Sequence, residues 1–119
     1  MPDTPKIFHK KLLGETGERR AERYLKKSGM KLLQRNYKTP FGEADLIMKS
    51  ADEIVFVEVK TRSSDAFGLP SEAVGKDKQR RYRNIASSFS LKLGEEVNAR
   101  FDVVEVYENG EIRHIPYAF

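Results

Sequence analysis

Two short stretches hold the residues best suited to chemistry. Gly42, Glu43, Ala44, Asp45, Leu46 and Ile47 form the first, and Phe56, Val57, Glu58, Val59, Lys60, Thr61 and Arg62 the second. Both mix apolar and charged positions with a period near two, the pattern of half-buried strands. Between them lies one polar break, Ser50-Ala51-Asp52-Glu53. A hairpin centred on that break sets Asp45 opposite Glu58, Glu43 opposite Lys60 and Ile47 opposite Phe56. On the reverse face Ala44 meets Val59, Leu46 meets Val57 and Met48 meets Val55, so that face is apolar throughout. A slip of one residue would destroy this sorting.

Directly opposed side chains on paired strands have Cβ atoms about 4.5–5.5 Å apart. Two carboxylates so placed repel unless something neutralises them. A divalent cation would do so, and carboxylate oxygens without thiolate or imidazole favour hard ions such as Mg²⁺ or Mn²⁺. The Val59 carbonyl lies on the same strand and adds a possible ligand. Lys60, two residues from Glu58, shares its face and stands where an ammonium could orient water or meet phosphate charge. Glu18 supplies a further carboxylate from the packing shoulder of a preceding helix. The competing reading is an ordinary cross-strand ion-pair cluster of Glu43, Lys60 and Asp45, worth only about 0–1 kcal/mol per surface pair.

The elements that must position these groups follow from periodicity and turn residues. A helix is predicted over residues 15–28, with Gly29 as its stop. Gly14, Gly17, Ala21, Tyr24, Leu25 and Ser28 share its packing face, while Arg19, Arg20, Arg23 and Lys27 point away. Strands are predicted over 30–37, 42–48 and 54–61, followed by a loop over 63–70. A second helix starts near Ser71 or Lys76 and runs to Leu93, with Tyr82, Ile85, Ala86, Phe89 and Leu93 on one face. Strands over 100–107 and 112–115 flank an Asn109-Gly110 hairpin turn. The order is α-β-β-β-α-β-β.

The 119 residues suit one domain, residues 14–119, preceded by a flexible basic arm over 1–13. Cysteine is absent, which excludes disulfides, thiolate metal sites and thiol catalysis. Continuous apolar runs are far shorter than the roughly 20 residues of a membrane span, and the N-terminal residues lack the pattern of a secretory signal. A cytoplasmic protein with no membrane partner is expected. The net charge is +4, but the distribution is more informative. Eight basic residues fall between Lys6 and Lys27, and Lys76, Lys78, Arg80, Arg81 and Arg83 fall within eight positions. Such clusters suit a polyanion like nucleic acid, although many helices carry solvated basic faces. The acidic residues over 95–111 read as a solvated face, with Asp102, inside a strand, as a candidate for burial and pairing. His9 and His114 have no partner at ligand spacing.

Taken together, Gly42–Ile47, Phe56–Arg62, the upstream Gly14, Gly17, Glu18 and Ala21, and the downstream Phe67-Gly68, Lys78-Gln79-Arg80 and Arg100-Phe101-Asp102-Val103-Val104 resemble the YraN family of small bacterial proteins. That family is similar to archaeal Holliday-junction resolvases and to the PD-(D/E)xK, restriction-endonuclease-like nucleases. The resemblance implies an α/β fold with an αβββαβ core, a central mixed sheet flanked by helices. It implies Asp45, Glu58 and Lys60 as the catalytic set, with Glu18 helping Asp45 and Glu58 hold Mg²⁺ or Mn²⁺. Gln79 matches a glutamine that some relatives place near the site. The implied activity is cleavage of DNA phosphodiester bonds, in branched or single-stranded substrates, with low sequence specificity. Arg62, Lys76, Lys78, Gln79, Arg80 and Arg81 would lie along the nucleic acid, and a homodimer is an arrangement many such nucleases adopt. Two departures stand out: Ala44 precedes Asp45 where the signature has proline, and Tyr82 follows Gln79 at three positions rather than four. The alternative is a nucleic-acid-binding module that retains the fold without cutting.

Overall fold

The computed structural model describes residues 6–70 and 72–119, with side chains from Gly17 onward. The elements are α1 (Lys6–Lys27), β1 (Lys31–Thr39), β2 (Gly42–Ser50), β3 (Glu53–Arg62), a 3-10 turn (Ser64–Ala66), α2 (Lys76–Leu93), β4 (Asn98–Tyr107) and β5 (Ile112–Ile115). The order matches the one read from the sequence. Helix α1 begins at Lys6, inside the segment expected to be an arm; Met1 to Pro5 lie outside the described residues. Of the two starts considered for α2, Lys76 is the one observed, and Gly94 closes the helix with a left-handed φ of 77°.

The five strands lie in sequence order in one sheet. β1–β2, β2–β3 and β4–β5 are antiparallel, whereas β3–β4 are parallel, so the sheet is mixed. A parallel pair needs a long crossover, which α2 supplies. The two helices cover opposite faces. On one, Ala21 and Leu25 of α1 pack with Leu46, Met48, Val55, Val57, Val104 and Val106. On the other, Tyr82, Ile85, Ala86 and Phe89 of α2 pack with Tyr37, Ala44, Ile47 and Phe56. Gly17 lets α1 approach the sheet closely, because a Cβ there would stand 2.9 Å from the Thr61 hydroxyl. Among the described residues, no helix is long and apolar enough to cross a membrane.

The β2–β3 register is the expected one from Ser50↔Glu53 to Leu46↔Val57, and the paired ladder ends there. Ala44 therefore does not join Leu46 and Met48 as expected; it packs on the α2 side with Ile47. Alternation fails at Asp45, since residues 44 and 47 cannot share a face of a regular strand. The same reversal occurs on β1. Arg35 reaches Glu22 on the α1 side, but Tyr37 bonds Ser88 on the α2 side. Asn36 between them has a left-handed φ of 50°, which turns the strand over; Asn36 and Asp45 are missing from the β1–β2 register, which also shifts at a bulge between Leu32 and Gln34. Asn tolerates that conformation better than most residues.

The C-terminal half corrects one expectation and adds a structural contact. His114 takes a structural partner: its Nε2 lies 2.6 Å from Asp102 Oδ2, and its ring meets Tyr24 edge-on. Asp102 is buried, as its strand position suggested, and is also bonded by Arg100 and by the Tyr117 N–H. Glu105, read as solvated, is buried as well, because it neutralises Arg62 and Arg113. The Asn109-Gly110 turn forms as expected, with Asn109 Oδ1 accepting the Glu111 N–H.

Candidate active site

Where β2 parts from β3, the N–H of Val59 loses its strand partner. A backbone donor left unpaired inside a fold is costly. Asp45 Oδ2 accepts it at 2.8 Å, so a side chain continues the ladder where the strand cannot. Burial pushes the Asp45 carboxyl above its usual range. The Val59 hydrogen bond opposes that shift, while the neighbouring charges of Glu43 and then Glu58 reinforce it and Lys78 opposes it. Asp45 and Glu58 are thus within electrostatic reach, although they are not a paired position of the described ladder.

Glu58 follows Phe56 on the α2 side of β3, and there the ammonium of Lys78, in the first turn of α2, is hydrogen-bonded to its Oε1. Gly42, Glu43, Glu58, Lys78, Arg81, Tyr82 and Ile85 enclose a cavity of about 150 Å³. Tyr82 forms its wall and is buried. Burial first, then the charges of Glu58 and Asp45, raise the Tyr82 hydroxyl far above the normal phenol range, so it stays neutral. Sequence periodicity identified Tyr82 only as a core residue; nothing in its spacing signalled the carboxylates beside it.

Lys60 lies two residues beyond Glu58 on the same strand face, in a different cavity of about 220 Å³ with Arg62, Glu72, Val74, Val103 and Glu105. The expected Glu43–Lys60 pairing is not part of the β2–β3 ladder, which ends at Leu46↔Val57. Glu18 lines a separate cavity of about 540 Å³ between α1 and β1, with Arg19, Arg23, Arg35 and Asn36 among its walls. Among the described residues, no group of three or more His, Cys, Asp or Glu side chains forms a cage for a metal. Among the described residues, Asp45 and Glu58 are neighbouring carboxylates that could offer oxygen donors to an ion.

The basic residues expected along nucleic acid divide in two. Lys76, Arg80 and Arg81 are exposed, Arg81 at the mouth of the carboxylate cavity. Lys78 is committed to Glu58, Arg62 to Glu105, and the Gln79 amide donates to the Val74 carbonyl, which fixes the approach to α2.

Comparison with known proteins agrees with this architecture. Residues 17–106 match the uncharacterised protein family UPF0102. A UPF0102 protein of Caldanaerobacter subterraneus subsp. tengcongensis is 45% identical, over 96% of this chain and 99% of its own. One from Caldicellulosiruptor saccharolyticus is 47% identical, over 86% of this chain and 87% of its own. Among solved structures, Archaeoglobus fulgidus Hjc, a Holliday junction resolvase, superposes with a TM-score of 0.51 at 20% identity, covering 83% of this chain and 72% of that one. At that identity the likeness is one of fold, and it matches the mixed sheet and its two flanking helices. With nine-tenths or more of its length shared with the first of these relatives, the chain belongs to the UPF0102 (YraN) family.

Proposed function

We propose that this protein hydrolyses phosphodiester bonds of nucleic acid, DNA foremost, with Mg²⁺ or Mn²⁺ held between Asp45 and Glu58. The observation that carries this reading is the half-buried Asp45 carboxyl, fixed by the Val59 N–H at the break in the ladder with the charges of Glu43 and Glu58 close by. The fold shared with a Holliday junction resolvase supports it.

The donors fit such an ion. They are hard carboxylate oxygens, and Mg²⁺ commonly binds through one or two carboxylates and keeps several waters. Excess negative charge at the pair already draws in a cation, the Lys78 ammonium on Glu58. When bound, the metal supplies a water of lowered pKa and polarises the phosphate. The remaining work falls to the chain. Asp45, anchored by the Val59 N–H, is held in one orientation, and the Val59 carbonyl is a further candidate oxygen donor; Glu18, on the α1 face, is not brought to this pair. Lys78 leaves Glu58 and becomes available to the phosphate. Lys60 steadies the attacking water or the developing charge. Lys76, Arg80 and Arg81 hold the backbone by charge, which predicts weak sequence preference and strong salt dependence. The reaction belongs to the cytoplasm.

Purified protein incubated with branched and single-stranded DNA in Mg²⁺ or Mn²⁺ tests the proposal. Cleavage is expected, and EDTA, Asp45→Asn or Lys60→Ala should abolish it. Cleavage indifferent to all three would overturn it. One observation favours a second reading, a binding module that does not cut: the Lys78 ammonium is paired with Glu58. That reading predicts salt-sensitive DNA binding unchanged in Asp45→Asn, with no product under any metal.

A further inference from the structure

Beyond the carboxylate pair, the same face of the sheet carries a row of charges that crosses three strands. Lys60 on β3 lies beside Glu105 on β4, and Glu105 lies opposite Arg113 on β5. Arg62, two residues after Lys60, completes the group. Glu105 is buried at its centre, with Arg113 Nε at 2.7 Å from one carboxylate oxygen and Arg62 Nε at 3.2 Å from the other. The two arginine side chains are themselves about one-third exposed. Two adjoining cavities, one holding Lys60 and the other Arg113, share Arg62, Glu72 and Glu105 as walls.

A guanidinium that donates through Nε to one carboxylate oxygen still carries Nη–H donors that can meet a second acceptor. Here one buried carboxylate orients two guanidinium groups at once. That arrangement fits a tetrahedral oxyanion better than a surface ion pair does, because Arg forks match phosphate oxygens bidentately. Strand spacing puts β5 roughly 10 Å across the sheet from β3, so the row extends away from Glu58 as a track. We propose that Arg113 and Arg62 clamp a backbone phosphate of a bound nucleic-acid strand beside the carboxylate pair, with Glu105 as the positioning residue. This rests on the nucleic-acid reading above, but not on cleavage.

Binding is read without metal, in EDTA, by the fluorescence anisotropy of a short labelled single-stranded oligonucleotide. Arg113→Gln and Arg62→Gln keep an amide donor for Glu105 but lose charge and fork. Each is expected to weaken binding about tenfold and to lower the slope of log affinity against log salt by about one. Glu105→Gln should weaken binding while leaving both positive charges in place. Folded Arg113→Gln protein that binds with wild-type affinity and slope overturns the clamp. Should the variants unfold, the wild-type protein decides: the arginine Nε–H resonances of Arg62 and Arg113 must shift on titration with the oligonucleotide, and unmoved signals at saturation overturn the proposal. Loss of cleavage with the clamp intact would sink only the nuclease reading; normal cleavage with normal binding in the variants would sink only the clamp.

Discussion

Asp45 Oδ2 accepts the backbone N–H of Val59, fourteen residues away on the neighbouring strand, at 2.8 Å. The carboxylate therefore has two tasks with opposite energetic signs: it satisfies a backbone donor, and it places charge in a partly buried site among other acids.

Substitutions at Asp45 separate the two tasks. Its folded-state pKa lies above the unfolded value, so ionisation costs stability at pH 7, and the cost is relieved as pH falls through the folded value. Asp45→Asn keeps the acceptor and removes the charge. It should equal or exceed the wild type in urea midpoint at pH 7, with the advantage gone near pH 4. Asp45→Ala orphans the Val59 N–H and should be about 1–3 kcal/mol less stable than Asp45→Asn. An alanine variant as stable as the asparagine one would refute this division.

Lys78 neutralises Glu58. Lys78→Met should cost about 1–3 kcal/mol in EDTA, since it leaves the carboxylate without its partner. Mn²⁺ should then raise the melting temperature of the variant by more than it raises that of the wild type, because ligand binding stabilises in proportion to affinity. Melting curves with and without Mn²⁺ measure this; two proteins equally blind to the ion would count against a metal at this site.

Glu22 anchors α1 to β1. Hydrogen bonds from Arg35 chiefly hold its carboxyl down at about 2; burial opposes them and Lys26 assists. A depressed carboxylate stabilises the fold above its ordinary pKa of 4.5, and that contribution disappears as pH drops through about 2. Arg35 is 60% exposed, so solvent screening limits the effect. Glu22→Gln should cost about 1 kcal/mol at pH 7. Chemical denaturation at pH 7 and pH 2 should show the gap closing; a constant gap would mean that the ion pair is not its cause.

Asp102 ties β4 to β5 and to the C-terminal residues. Burial alone would raise its pKa, but hydrogen bonds from His114, Arg100 and the Tyr117 N–H overcome it and hold the carboxyl below its ordinary 3.8. The contribution is complete above that value and fades at lower pH. Asp102→Ala should cost about 3–5 kcal/mol, the loss typical when one partner of a buried pair is removed. Hydrogen exchange should accelerate first in Ile112–Ile115. Wild-type protection of that strand in the variant would contradict the assignment.

Sequence periodicity determined the order of the elements, the central residues of each and most of the faces they present. Alternating positions and the Ser50–Glu53 break specified the β2–β3 register, because a one-residue slip would turn the buried set to solvent. The 3.6-residue spacing of Tyr82, Ile85, Ala86 and Phe89 likewise marked the buried face of α2. Tertiary structure alone decided that the ladder ends at Leu46. The left-handed backbone at Asn36 reverses β1 and carries Ala44 to the opposite face, and no pattern of side-chain polarity encodes such a reversal. Docking also chose the charge partners. Lys78 meets Glu58 because α2 crosses that end of β3, and Glu105 and His114 find partners on neighbouring elements. Hydropathy records how deep a residue lies; which charge it meets depends on how whole elements pack, and residues distant in sequence carry no local mark of that contact.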